Sequence, residues 1–150
     1  MTPYRVHQVH VRLNELRQLI ARAEQDGETL CQAFRQQFPR SPVYLVRYPN
    51  RTMTLYRWRR SSHRRWRGRN IPAGPAGLNP PVNLANEVRE LFRLLPKSAQ
   101  PLYLRFERQR LDLNLALSLR HYERQRLQDW LANVSAIKAM DKTVGESNNH

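Results

Sequence analysis

Apolar residues near the start of the chain recur at Val6, Val9, Leu13, Leu16, Ile20 and Ala23, alternately three and four residues apart. That spacing draws one apolar seam along a helix. Thr2 is placed to cap the helix and Pro3 suits its first turn. The same spacing runs past Gly27 to Leu30 and Phe34, and Leu19 and Leu30 broaden the seam into a face that must be buried. Residues 1–38 therefore read as one long helix, or as two broken at Asp26-Gly27. The seam is short for a coiled coil, which favours a helix of an intramolecular bundle; a homodimer through this N-terminal helix is the other way to close it.

Pro39 and Pro42 end that pattern, and residues 42–60 change to β-type composition. Val43–Tyr48 and Thr52–Arg60 are rich in Val, Tyr, Thr, Leu and Trp, with Tyr48-Pro49-Asn50-Arg51 as turn chemistry between them. If Tyr48 faces Arg51, Val46 pairs with Met53 and Tyr44 with Leu55 on one face, which can rest on helices. Arg47, Tyr56, Trp58 and Arg60 then share the other face and meet solvent.

Residues 61–83 hold Pro72, Pro75, Pro80, Pro81, Gly68, Gly74 and Gly77, the makings of a long loop whose Arg-rich half orders on an anionic partner. Asn83 can cap a short helix over 84–95, with Leu84, Val88, Leu91 and Leu95 on one face, stopped by Pro96. A last run covers 98–140. Within it Leu111, Leu113, Leu115, Leu117 and Leu119 alternate with polar or small residues, which is the period of a strand. Helix is still expected, because no β-branched residue occurs from Ser98 to Asn133 and no Gly or Pro interrupts Leu102 to Met140. Such a helix is apolar around much of its girth and so belongs at the centre of the fold. Residues 141–150 are polar and expected to be disordered. The fold class is mainly α (α+β). A single domain over 1–140 forms an antiparallel helical bundle of long N- and C-terminal helices, with one inserted β-hairpin and a long Arg/Pro/Gly-rich loop.

Charge sharpens this picture. The chain of 150 residues carries a formal net charge of +14. Nearly all of the excess sits in residues 29–86, which contain 11 Arg and no acidic residue. A merely solvated face mixes both signs, so an acid-free stretch of this length points to an anionic partner. Of the 26 basic residues, 23 are Arg, which suits bidentate phosphate contacts and stacking on rings, although a GC-rich genome produces the same bias. A lone cysteine, Cys31, excludes an internal disulfide framework and fits a reducing, cytoplasmic setting. The N-terminus lacks the apolar stretch of a secretory signal, and no run is long enough to span a bilayer, so no membrane partner is expected.

Catalytic constellations are sparse. The acid-free segment offers no carboxylates for a two-metal site. His7, His10 and Cys31 can be imagined as ligands but lack a fourth, and they read more simply as surface histidines and a buried thiol. Neither an enzyme, a metal nor a cofactor is expected. The AGPAG loop is no phosphate cradle, because its proline removes an amide donor.

For nucleic acid, DNA or RNA, the candidate site is Arg47, Arg51, Arg57, Arg59, Arg60, Arg64, Arg65, Arg67 and Arg69 for phosphates, with Tyr56, Trp58 and Trp66 stacking on bases; Tyr44 lies among them. The competing expectation for Trp58 and Trp66 is burial in the core. An acidic protein or nucleoprotein complex is the alternative partner for the same basic face, which would make the chain a subunit, adaptor or inhibitor.

The LYRWRR stretch at 55–60 and PLYLRFERQRLDLNLALSLRHYERQRL at 101–127 resemble small uncharacterised basic proteins of bacterial integrative conjugative elements and plasmids. The resemblance covers about a quarter of the chain. It implies a mobile-element setting and supplies no catalytic residues.

Overall fold

The computed structural model describes residues 3–49, 53–61, 92–93 and 95–148. Helix α1 spans Val6–Gln37, strands β1 and β2 span Val43–Pro49 and Thr54–Arg60, and helix α2 spans Gln100–Asn148. The strands pair antiparallel as a two-stranded sheet, so two long helices flank a hairpin as the sequence predicts. The expected loop at 61–83, apart from Ser61, and most of the expected helix at 84–95 lie outside the described residues; Phe92 and Arg93 are helical.

Contacts gather into two units, Met1–Ala21 with Leu119–His150, and Arg22–Ser118. In the first, α1 meets α2 antiparallel: Arg12 lies beside Glu123, and Tyr4 beside Trp130 with ring centroids 6.3 Å apart. Val9, Leu16 and Ile20 of the seam are buried here. The helix begins at Val6 rather than at Pro3, because the chain leaves the helical path to bring Tyr4 edge-on to Trp130. Thr2 lies outside the described residues.

The second unit holds the hairpin and an aromatic core. The ring of Phe34 stands edge-on to Trp58, Tyr103 and Phe106 at centroid distances of 5.0, 5.4 and 5.2 Å. Ala23, Leu30 and Phe34 continue the line of seam residues buried by other parts of the same chain. Pro39 ends α1, since a residue before proline disfavours helical geometry. The peptide N–H of Ser61 donates to the Pro42 carbonyl at 2.8 Å and closes the base of the hairpin.

The break considered at Asp26-Gly27 is absent. α1 runs straight through it, and Gly27 serves as a notch: a Cβ there would overlap the ring of Tyr56. The Tyr56 hydroxyl donates to the Glu24 carbonyl at 2.8 Å across the same notch.

The expected strand register and inward face both need correction. Tyr48 pairs with Leu55, Arg47 with Tyr56, and Leu45 with Trp58, rather than Tyr48 with Arg51. This shift of four positions leaves each face with the expected members, because side chains alternate with period two. The face turned inward is the opposite one. Val43, Leu45, Thr54, Tyr56 and Trp58 are buried, while Tyr44, Val46, Leu55 and Arg57 are half-buried and Tyr48 and Arg59 exposed. Tyr56 and Trp58 turn inward because partners wait on the helices, the Gly27 notch on α1 and a polar cluster on α2.

Two expectations for the last helix also change. α2 continues to Asn148 instead of stopping near Met140, and Thr143 returns its hydroxyl to the Ala139 carbonyl at 3.0 Å. Nor are its alternating leucines all central. Residues two apart on a helix point to nearly opposite sides, so Leu117 is fully buried while Leu111 and Leu115 stand 45% and 60% exposed.

Candidate nucleic-acid interface

The hairpin is fixed to α2 by an arrangement of buried polar groups. Asn114 accepts from the peptide N–H of Tyr56 at 2.9 Å and donates to its carbonyl at 2.7 Å, so one side-chain amide satisfies both backbone groups at the outer edge of β2. Arg110 grips Glu107 through two N–H groups at 2.9 and 2.7 Å, and its third nitrogen donates to the Tyr56 carbonyl at 3.1 Å. The Trp58 indole N–H donates to the same Glu107 carboxylate. Both Glu107 and Arg110 are buried, which is tolerable because their charges cancel through a bidentate pair.

Burial and these bonds set the inward rings. Desolvation pushes the Tyr56 phenol up to about 12, and it raises the Tyr103 phenol as well. The two residues chosen from sequence as base-stackers on the hairpin, Tyr56 and Trp58, are each 0% exposed and present no ring face to a ligand. They are core residues.

The outward face of the ribbon carries Tyr44, Val46 and Tyr48 on β1, and Leu55, Arg57 and Arg59 on β2. Cross-strand pairing sets Tyr44 opposite Arg59 and Val46 opposite Arg57. The Arg57 guanidinium stacks on Tyr48, with its carbon 3.6 Å from the ring centroid. Arg57 Nε is buried without an acceptor, and neither Arg57 nor Arg59 meets a carboxylate among the described residues. Arg47 does: it is 3.8 Å from Glu24, so its charge is already partly answered.

The backbone of Arg60 closes β2 opposite Val43, while its side chain lies outside the described residues. Arg51, Arg64, Arg65, Trp66, Arg67 and Arg69 also lie outside them. Of the sites expected from sequence, the structure thus brings Arg57 and Arg59 together on the outward face. It adds Tyr48, which sequence reasoning had spent on the turn. The signal for Tyr48 was the same alternation that grouped Tyr56 with Trp58, applied to the other side of the ribbon.

No family model, curated protein or solved structure matches the chain.

Elsewhere in the chain, the first unit holds a cavity of about 560 Å³ walled by Tyr4, Val9, Leu127 and Trp130. Its charged residues are engaged with one another or with neighbours. Arg12 pairs with Glu123 at 2.8 Å and Arg126 with Asp129 at 3.0 Å, which leaves no charged group there to orient a ligand. Among the described residues no three His, Cys, Asp or Glu side chains gather as a metal site requires, and no helix is long and apolar enough to cross a membrane.

Proposed function

We propose that this chain is a non-enzymatic nucleic-acid-binding protein, in a mobile-element setting, and that the outward face of its hairpin forms the core of the binding surface. The single observation that carries the reading is Arg57 and Arg59 two positions apart on the outward ribbon face, without carboxylate partners among the described residues, inside a segment of 58 residues that contains no acid. Guanidinium groups so placed attract phosphates and release counterions on contact. Stacking of Arg57 on Tyr48 holds one guanidinium ready and reduces the ordering that binding requires. The arginines at 51, 60, 64, 65, 67 and 69 belong to the same acid-free segment and extend the supply of positive charge.

The test is fluorescence anisotropy with a labelled oligonucleotide over a salt series, comparing the natural chain with Arg57→Ala/Arg59→Ala and with the fourfold replacement of Arg64, Arg65, Arg67 and Arg69 by Ala. Affinity is expected to fall with salt by about 0.7–0.9 log units per log unit for each phosphate contacted, and each variant to flatten that slope. Affinity independent of salt would contradict the reading. Failure to bind any oligonucleotide, with retention of an acidic protein through the same arginines, would replace it by the interaction-protein alternative.

A further inference from the structure

Resting on the proposed function, we infer that the ligand is single-stranded nucleic acid, with its bases stacked along the β1 lane of the hairpin on Tyr44 and Tyr48 and its phosphates held along the β2 lane by Arg57 and Arg59.

The outward face divides lengthwise. The β1 lane reads Tyr44, Val46, Tyr48, an apolar and aromatic strip; the β2 lane reads Leu55, Arg57, Arg59. The two rows of side chains set out from strands about 4.8 Å apart, with the Arg57 guanidinium leaning across onto the Tyr48 ring and Arg59 remaining on the β2 side. That is the division a nucleotide chain presents, with bases on one side and phosphates on the other.

Spacing decides between single strand and duplex. Tyr44 and Tyr48 are four residues apart on one strand, or about 13 Å at ~3.3 Å per residue. Stacked bases in a duplex repeat every ~3.4 Å. Bases resting on both rings are consequently not stacked neighbours, and only an opened, unpaired chain can splay them so far. A duplex also hides its base faces, leaving the tyrosines without a partner.

The ribbon is poorly shaped for the alternative of lying in a major groove. That groove is about 12 Å wide and admits a free two-stranded ribbon. Here the outer edge of β2 is held on α2 by Asn114, and a helix with its side chains adds about 10 Å. What remains accessible is the outward face, on which Tyr48 and Arg59 are exposed and Tyr44, Val46, Leu55 and Arg57 half-buried. Tyr48, 42% exposed and backed by the Arg57 guanidinium, is the stacking position best prepared on it.

The experiment uses the full chain and two labelled probes of equal length, an unstructured oligo-dT and a DNA duplex, with anisotropy read over a salt series. The variants are Tyr48→Leu, Tyr48→Phe, Tyr44→Leu and Arg59→Ala, each with its folding checked by circular dichroism. The single strand is expected to bind at least about tenfold tighter than the duplex. Tyr48→Leu should weaken single-strand binding by about 5- to 100-fold while leaving the salt slope unchanged, as loss of a stacked base does. Tyr48→Phe should keep the affinity, and Arg59→Ala should flatten the slope for either probe. Equal or tighter duplex binding, untouched by Tyr48→Leu, would overturn the single-strand inference and leave the nucleic-acid reading standing. Absence of binding to both probes at near-physiological salt would remove the two together.

Discussion

Gly27 and Tyr56 occupy one space: a side chain at residue 27 would stand where the phenol ring now lies, with its hydroxyl on the Glu24 carbonyl at 2.8 Å. A glycine inside a helix ordinarily gains about 0.5–1 kcal/mol on conversion to alanine. At this position the sign reverses. Gly27→Ala is expected to destabilise the fold by about 2 kcal/mol or more, because the ring cannot move without leaving its buried seat. Gly145, near the end of α2 with open space where a Cβ would stand, is the control, and Gly145→Ala should be neutral or slightly stabilising. Urea unfolding of the two variants beside the natural chain measures the contrast.

Glu107 answers two donors at once, the Arg110 guanidinium and the Trp58 indole. Glu107→Ala leaves a buried arginine without its counter-charge and should cost about 3–5 kcal/mol. Replacing the pair together, Glu107→Leu with Arg110→Met, should cost clearly less, since the Tyr56 carbonyl keeps Asn114 as a donor at 2.7 Å. Denaturant midpoints of the single and double variants give the comparison, and a double variant as unstable as Glu107→Ala would show that the pair itself is indispensable.

The Arg12 guanidinium, bonded to Glu123 through two nitrogens at 2.8 and 2.9 Å, holds that carboxyl below its ordinary range. A carboxyl lowered on folding contributes stability above its unfolded value, near 4.3, and loses it as pH falls through the folded value. Glu123→Gln should therefore melt below the natural chain at pH 7, and the gap should close on acidification below about pH 4. Both side chains are about two-fifths exposed, so the gap corresponds to about 1 kcal/mol at most. Thermal melts from pH 2 to pH 7 follow it.

At the alkaline end the sign is opposite. Burial pushes the Cys31 thiol up to about 11 and the Tyr56 phenol up to about 12. Groups raised on folding leave stability intact below their unfolded values and erode it as pH climbs through the folded ones. The melting temperature should hold to about pH 9 and fall steeply towards pH 12, with phenolate absorbance rising in the same interval. Tyr56→Phe should flatten part of that fall, at the expense of about 1 kcal/mol at neutral pH for the lost bond to Glu24.

Much of the fold was legible because it depends on local repeats. The three-and-four spacing from Val6 to Phe34 yields α1, and the absence of Gly and Pro from residues 102–140 and of β-branched residues from 98–133 yields α2 despite its strand-like leucines. The hairpin and the membership of its faces follow from composition and alternation. Its inward side does not, since both faces of the ribbon carry tyrosines and arginines. The choice is made by Gly27, Glu107, Arg110 and Asn114, which lie about 30 to 60 positions away in the chain and identify themselves as partners only in space. Arg57 and Arg59 kept their place in the candidate site for the same reason that Tyr56 and Trp58 lost theirs, since odd and even positions of one strand cannot face the same way.

A two-stranded ribbon has bare margins, and a bare margin is a template on which another molecule's extended segment can zip. Asn114 occupies the critical point of one margin, its amide standing in for a third strand one residue long. The consequence reaches beyond stability. With that amide on both backbone groups of Tyr56 and the Arg110 guanidinium on its carbonyl, the hydrogen bonds that a second copy's strand would need at this point of β2 are already taken.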